Sequence, residues 1–242
     1  MNFGSSRVPK KISPCPIAEA VVELRFESNF PVEVIYGISF QKLKRHFPVQ
    51  EKLPIMELPQ SIRDNDPNLR FNPYFRLKNE NFIFQIGPRN FSVSCPKEYK
   101  GWGAFSKQIR SVFGDLHSLG IFHKPIRVGL RYINFFEKIN VFEKIKIALD
   151  LTDNSLIGFK NVIRSEFPHE DFNCVLNIAN QAAINNVKIT GSVIDLDVLY
   201  EKDTKNMLNN FLKIVDEAHN LEKRIFFGIL REDFLHQFHP EY

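Results

Sequence analysis

Residues 18–26 read AEAVVELRF, and this stretch decides the fold class of the chain. Its apolar residues recur at every second position: Ala20, Val22, Leu24 and Phe26. The positions between them are mostly charged: Glu19, Val21, Glu23 and Arg25. Because successive side chains of a β-strand point to opposite faces of the sheet, this period of two predicts a strand with one buried and one polar face.

The rest of the chain divides into further strands and helices by the same criteria. Alternating or apolar runs between turn residues predict strands at Val49–Leu58, Leu69–Leu77, Asn81–Gly87, Asn90–Cys95, Ile126–Phe135, Phe159–Phe167, Asp171–Ala179 and Asn186–Tyr200, the last with a bulge near Gly191. A period of 3.6 predicts helices at Pro31–Phe47, Trp102–Leu119 and Asp203–Leu230. Val141–Leu149 fits either a short helix or a strand.

The order of elements repeats in the two halves, with echoes at the residue level. Leu24-Arg-Phe26 matches Leu130-Arg-Tyr132, and Ser111–Leu119 matches Lys213–Leu221 at a similar offset. Two echoes in the same order indicate internal duplication. The predicted fold is therefore α+β, with duplicated β-α-β-β-β-α units forming one antiparallel sheet and two long helices packed on one face. Residues 1–15 form an N-terminal arm, and 16–242 form a single pseudo-symmetric domain with halves 16–123 and 124–242.

Composition excludes several classes of protein. Apolar residues make up 43% and charged residues 25%, which is typical of a globular domain and not of a disordered or fibrous chain. No apolar run is long enough for a membrane span or a signal peptide, so we expect a cytoplasmic protein without a membrane partner. The three cysteines, Cys15, Cys95 and Cys174, are far apart, which argues against a disulfide framework or a zinc site. No metal or cofactor motif is present.

Three segments together resemble a known family. They are Pro16–Phe26 (PIAEAVVELRF), Val128–Asn134 (VGLRYIN), and Ala218-His219 followed by Phe226; the spaced aromatics Tyr99, Trp102 and Phe105 fit as well. The set resembles a sporadically distributed bacterial family of proteins of about 250 residues that has no established function. That family often has Thr after its last helix, where this chain has Arg231. The scattered occurrence implies a role in mobile-element defence or a toxin–antitoxin system. The resemblance supplies no catalytic residue.

The candidate binding residues lie on the polar side of the predicted sheet. By alternation, Arg25 and Arg131 point away from the helices, and Arg127 shares the face of Arg131. Guanidinium groups there could hold a small anionic ligand or an acidic protein partner. A homodimer is a further candidate assembly. The alternative is pairing with Glu19 and Glu23. Trp102, at the start of a predicted helix, is a second candidate contact or a packing anchor.

The function favoured by these patterns is a non-enzymatic interaction or ligand-binding module that uses the open sheet face. One alternative is nucleic-acid binding, because residues 1–127 carry 19 Lys/Arg against 11 Asp/Glu. The basic residues proposed for it are Arg7, Lys10, Lys11, Lys42, Lys44 and Arg45. Another is an enzyme with an acid–base site built from His117, His219 or carboxylates. His219 is also a candidate binding residue, although stabilisation by the helix dipole near a helix end is the favoured explanation for both histidines.

Overall fold

Nine strands form one antiparallel sheet in the computed structural model, which describes residues 7–96, 98–147, 159–183 and 190–242. The strands are β1 (Ile17–Glu27), β2 (Val49–Lys52), β3 (Phe75–Lys78), β4 (Ile83–Ile86), β5 (Asn90–Pro96), β6 (Lys124–Glu137), β7 (Val162–His169), β8 (Phe172–Ala183) and β9 (Thr190–Tyr200). Their order across the sheet is β2-β3-β4-β5-β1-β6-β9-β8-β7. The predicted α+β class and the antiparallel sheet are confirmed.

Five α-helices and two short 3₁₀ helices complete the described residues. The α-helices are α1 (Val32–Leu43), α2 (Gln60–Asn65), α3 (Trp102–His117), α4 (Phe211–Ile229) and α5 (Glu232–His236). The 3₁₀ helices are Pro54–Glu57 and Val141–Glu143. The segment Val141–Leu149, which the sequence left open, therefore starts as a 3₁₀ helix, and its last two residues lie outside the described ones.

The chain forms two compact units that are interleaved in sequence. One contains the described residues of Met1–Glu19, Arg131–Leu199 and Asp216–Tyr242, and the other contains those of Ala20–Leu130 and Tyr200–Val215. The boundaries between the units fall within β1, β6, β9 and α4. The halves 16–123 and 124–242 stay a prediction.

The buried residues follow the predicted periodicities. In β1 the side chains of Ala20, Val22, Leu24 and Phe26 are fully buried. In α3 the buried set is the predicted one: Phe105, Ile109, Val112, Phe113 and Leu116. The apolar stripe along α4 is also buried, from Phe211 to Ile229. Local hydrophobic period thus identifies the core side of each of these elements.

Several predicted boundaries are wrong. The strand predicted at Val49–Leu58 ends at Lys52, because Pro54 begins a 3₁₀ helix and proline cannot donate to a sheet. The helix predicted from Asp203 begins at Phe211, and residues 204–210 form turns. Asp203 has a positive φ of 40°, and its carboxylate accepts hydrogen bonds from the Asn206 side chain. Such side-chain bonds compete with a regular helix start.

Gly191 in β9 is required by a close approach between strands. A Cβ at this position would lie 2.3 Å from the Phe136 carbonyl oxygen and 2.8 Å from the Phe135 ring. The absence of a side chain therefore lets β9 lie against β6, and the bulge near Gly191 stays a prediction. The predicted start of this strand, at Asn186, lies outside the described residues.

The described part of the N-terminal arm is bound to the end of the chain. The Lys10 amide donates to the Glu241 carbonyl (2.6 Å), and the Ser13 amide donates to the Phe238 carbonyl (2.7 Å). Ile12 and Phe238 are both buried. None of the described helices has the length and hydropathy needed to cross a bilayer.

Replacing Gly191 by alanine is expected to destabilise the fold, since the new methyl group overlaps a backbone oxygen. The expected loss is about 1–3 kcal/mol in the free energy of unfolding, measured by chemical denaturation. Gly114→Ala is the matched control, because nothing lies within 4 Å of a Cβ at this position within α3. That variant should gain about 0.5–1 kcal/mol. Equal effects of the two substitutions would contradict the close approach at Gly191.

Candidate functional site

Adjacent side chains of β6 point to opposite faces of the sheet. The Tyr132 hydroxyl hydrogen-bonds to Nδ1 of His219 in α4 (3.0 Å), so α4 lies on the face of Tyr132. Arg131 points to the opposite face, where 46% of its side chain is exposed. The same alternation runs along β8, where Cys174, Leu176 and Ile178 are buried. The face of Arg131 is thus the one that α4 does not cover.

A connected set of polar side chains crosses four neighbouring strands on this face. We call it the polar row; its members are Arg131 on β6, Asp195 on β9, Asn177 on β8, and Arg164 and Glu166 on β7. The Arg131 Nε and Nη2 donate to the two Asp195 carboxylate oxygens at 2.7 and 2.8 Å. The Asn177 amide donates to Asp195 (3.3 Å) and accepts from Arg164 (3.2 Å). Arg164 also contacts Glu166 at 2.6 Å.

Exposure differs along the polar row. Only 10% of the Asp195 side chain is exposed, because Arg131 lies over it, whereas both Arg164 and Glu166 are exposed. Hydrogen bonding to Asp195 is the main reason that the pKa of Arg131 is raised above its usual value. A bidentate guanidinium–carboxylate pair has a fixed planar geometry. The β6 end of the row is therefore held in place, and its β7 end is the more exposed part.

The second arginine cluster belongs to the other compact unit. Glu23 Oε1 accepts from Arg25 Nε (2.5 Å) and from Arg127 Nη2 (2.9 Å). The Arg25 guanidinium lies over the Phe71 ring at 4.5 Å. Next to this cluster β5 is buried on both faces, since Ser92 and Ser94 are buried as well as Phe91. This part of the sheet is thus covered on the side that we predicted to be open.

The structure therefore distributes the predicted arginines over two clusters. Arg25 and Arg127 share the carboxylate of Glu23, and Arg131 pairs with Asp195. The sequence left open that Arg25 pairs with Glu23 instead of binding a ligand. The structure contains this pair, and both of its residues lie on β1. In each cluster a carboxylate of the chain already occupies guanidinium donors. A small anion would have to compete with these internal partners.

Trp102 starts α3 and packs on the aromatic residues of that helix. It follows Gly101, whose φ of +85° is readily adopted only by glycine. The Trp102 ring meets Phe105 edge-on at 6.2 Å, and Tyr99 meets the same ring from another side. These contacts match the packing interpretation of Trp102.

The two predicted histidines lie in different environments. His219 is 9% exposed, and burial, with a smaller contribution from Lys223, lowers its pKa to about 3. It is therefore neutral at physiological pH and serves as the partner of the Tyr132 hydroxyl. His117 is exposed at the end of α3 and stacks on Phe113 at 5.3 Å. The described residues contain no group of three or more His, Cys, Asp or Glu side chains that could hold a metal ion.

Glu222 in α4 is a buried carboxyl group that sequence reasoning missed. Its side chain is 5% exposed, and burial raises its pKa to about 8, against a smaller opposing effect of Lys223. Its spacing could have indicated burial, because Glu222 lies four residues after Ala218 and three before Ile225 on the apolar stripe. Burial has the reverse effect on Lys223, whose pKa is lowered.

An open cleft of about 470 Å³ lies beside this part of α4. It is lined by both acidic and basic side chains, together with a few apolar ones: Val8, Glu170, Asp171, Phe172, Glu217, Asn220, Leu221, Lys223 and Arg224. With charges of both signs around it, the cleft has no clear preference for an anion or a cation.

The basic residues proposed for nucleic-acid binding are divided between the two compact units. Arg7, Lys10 and Lys11 lie beside the C-terminus, where Arg7 stacks over Tyr242 and Lys10 donates to its carbonyl. Lys42, Lys44 and Arg45 lie at the end of α1, in the other compact unit. Neither a scan against protein-family models nor a search of the curated proteins finds a match to this chain.

Glu222→Gln is expected to change how the stability of the protein depends on pH. The folded-state pKa of Glu222 is about 8 and the unfolded value is near 4.5, so folding binds a proton between these values. The contribution of Glu222 to stability is thus fully present below pH 4.5 and is lost as the pH rises through 8. Relative to wild type, the glutamine variant should gain stability between pH 5 and pH 8, measured by chemical denaturation at both.

The effect of His219 on the pH dependence of stability has the opposite sign to that of Glu222. Its lowered folded-state pKa means that stability is lost as the pH falls below 6.5 towards 3. A stability difference between wild type and Glu222→Gln that stays constant from pH 5 to pH 8 would contradict the burial of this carboxyl group.

Proposed function

We propose that the protein is a non-enzymatic interaction module that binds a protein partner through the exposed sheet face. We define the exposed sheet face as the face of β6, β9, β8 and β7 that carries the polar row. The observation that carries the proposal is the connected row itself, which crosses four strands on the side opposite α4.

The alternation of burial along β7 and β8 supports this use of the face. Apolar residues of β8 fill the core side, whereas Val175 and Asn177 are only half-buried on the other side. Opposite them on β7, Arg164 and Glu166 are exposed. The face thus combines half-buried side chains, a fixed ion pair at its β6 end and accessible charged side chains on β7. Arginine is among the residues enriched in protein–protein interfaces.

The charges of the polar row favour a protein over a polyanion. Two arginines alternate with two carboxylates along the row, and each arginine contacts one of them. Nucleic-acid binding depends on cations that neutralise phosphates, and here these cations have internal partners. A mixed pattern of both signs instead offers orientation and specificity to a protein surface.

We also propose that the chain is internally duplicated, and that its biological role is the one that the family resemblance implies. The strand orders β1-β5-β4-β3 and β6-β9-β8-β7 both run outward from the two central strands, and a long helix follows β5 and β9 in sequence. Stacking of Phe113 in α3 on Phe211 in α4 at 4.1 Å supports placement of both helices on one face. The resemblance to the bacterial family adds the proposal that the partner belongs to a mobile-element defence or toxin–antitoxin system.

Val175→Arg is designed to block the exposed sheet face without disturbing the fold. Val175 lies opposite Glu166, so the added guanidinium gains an opposite charge across the strands. We expect that a protein captured by the wild-type chain from a lysate of its own cells is depleted about tenfold or more with the variant, as measured by quantitative mass spectrometry.

Ser111→Arg is the matched control, because it adds the same side chain to an exposed position of α3. It should retain the captured protein at the wild-type level. Equal capture by all three chains would overturn binding through this face. A captured small molecule or nucleic acid that is lost with Val175→Arg would replace the protein partner with that class of ligand.

A further inference from the structure

The outer edge of β7 is a long strand edge with accessible side chains. Among the described residues no strand lies beyond β7 in the sheet order. The strand has 8 residues, whereas the opposite edge strand, β2, has 4. Val162 is 71% exposed, and the Arg164 and Glu166 side chains are 57% and 64% exposed. Long, exposed edges of this kind are templates for pairing with another strand.

The pairing of β7 with β8 shows which backbone groups face outward. The Asn180 amide donates to the Asn161 carbonyl (3.2 Å), and the register continues with Val162 opposite Ala179. Hydrogen-bonded and non-hydrogen-bonded pairs alternate along an antiparallel ladder. The backbone groups of alternate residues therefore point away from β8, namely those of Val162, Arg164, Glu166 and Pro168. Pro168 has no amide hydrogen, which suits a position at a sheet edge.

The sequence of β7 is self-complementary about Ser165. If a second β7 pairs antiparallel with a twofold axis at Ser165, Arg164 of each chain lies opposite Glu166 of the other. Val162 then lies opposite Pro168, and Ile163 opposite Phe167, so apolar residues also meet apolar residues. A shift by two residues in either direction would place Arg164 opposite Arg164, or Glu166 opposite Glu166, and like charges in cross-strand pairs are destabilising.

We propose that β7 is a homodimerisation edge, at which two copies of the chain pair antiparallel about Ser165 to form one continuous sheet. The outward amides of Val162, Arg164 and Glu166 supply the ladder, and Pro168 ends it. The charge pattern selects this register and this partner. The inference goes beyond the proposed function, because its partner is a second copy of the chain rather than a different protein, although it uses Arg164 and Glu166 at the β7 end of the polar row.

Charge reversal tests the proposal in the full-length protein by analytical ultracentrifugation across the micromolar range. Wild type should show a concentration-dependent dimer. Arg164→Glu alone, or Glu166→Arg alone, places like charges opposite each other at both symmetry-related positions and should weaken the dimer about tenfold or more. The double variant R164E/E166R restores opposite charges and should recover the wild-type dimer.

A mixture of the two single variants is the sharpest arm of this experiment. In a heterodimer of R164E with E166R, two acidic residues of one chain face two basic residues of the other. The mixture should therefore dimerise more strongly than either variant alone at the same total concentration. A monomeric wild type, a dimer that neither reversal weakens, or a mixture that remains monomeric would each overturn the proposal.

A disulfide across the twofold axis checks the register. Ser165 would face its own copy in a non-hydrogen-bonded pair, with Cα atoms about 4.5 Å apart, which is within disulfide range. In a Cys15→Ser background, which removes the exposed native thiol, Ser165→Cys should give a covalent dimer on mild oxidation. Lys160→Cys in the same background is the control and should not, because position 160 lies opposite position 170. Equal cross-linking of the two variants would contradict the register.

Discussion

The strict alternation of side chains along the central strands is the constraint on which this structure depends. In β6, Tyr132 and Arg131 are neighbours in sequence, yet one hydrogen-bonds to α4 and the other pairs with Asp195 on the opposite face. A shift of one residue in the register would bury Arg131 and expose Tyr132. Alternation in β6 therefore places Arg131 and the core residue Tyr132 on opposite faces, and the polar row is a consequence of that separation.

The core contains polar groups whose burial has different consequences. His219 has a partner in the Tyr132 hydroxyl and is neutral, so it fixes α4 at little electrostatic cost. Glu222 is buried one turn further along the same helix, and burial raises its pKa towards the physiological range. The effects of these two groups on the pH dependence of stability have opposite signs, because burial lowers the pKa of His219 and raises that of Glu222.

Sequence periodicity was sufficient for the parts of the fold that depend on local pattern. The buried residues of β1, α3 and α4 match the predicted ones because strand and helix periods are properties of neighbouring residues. The start of α4 was wrong because the backbone at Asp203 follows its own side-chain bonds to Asn206. The 3₁₀ helix at Pro54–Glu57 was missed because the strand prediction ran through Pro54. The helix at Gln60–Asn65 was missed because its 6 residues are too few to show a helical period.

The candidate site was only partly predictable. Arg131 and its orientation follow from alternation, but its partner does not, since Asp195 is 64 positions away and its place depends on the strand order. The same holds for Arg127 and Glu23, which are 104 positions apart. The local sequence around Asn177 and Arg164 does not indicate a binding site, because these residues join the polar row only when β8 and β7 lie next to β9 in the sheet. Non-local pairing is the information that a single sequence does not carry.

Thiol reactivity at two adjacent positions of β8 measures whether the sheet has one core face and one accessible face. Cys174 is native and fully buried on the core side, and position 175 faces the exposed sheet face. With Cys15 replaced by serine, we predict that the native Cys174 reacts with a thiol reagent only as fast as the protein unfolds. A cysteine introduced as Val175→Cys should react about as rapidly as an accessible thiol. Equal rates at the two positions, whether both fast or both slow, would contradict a sheet with one core face and one accessible face.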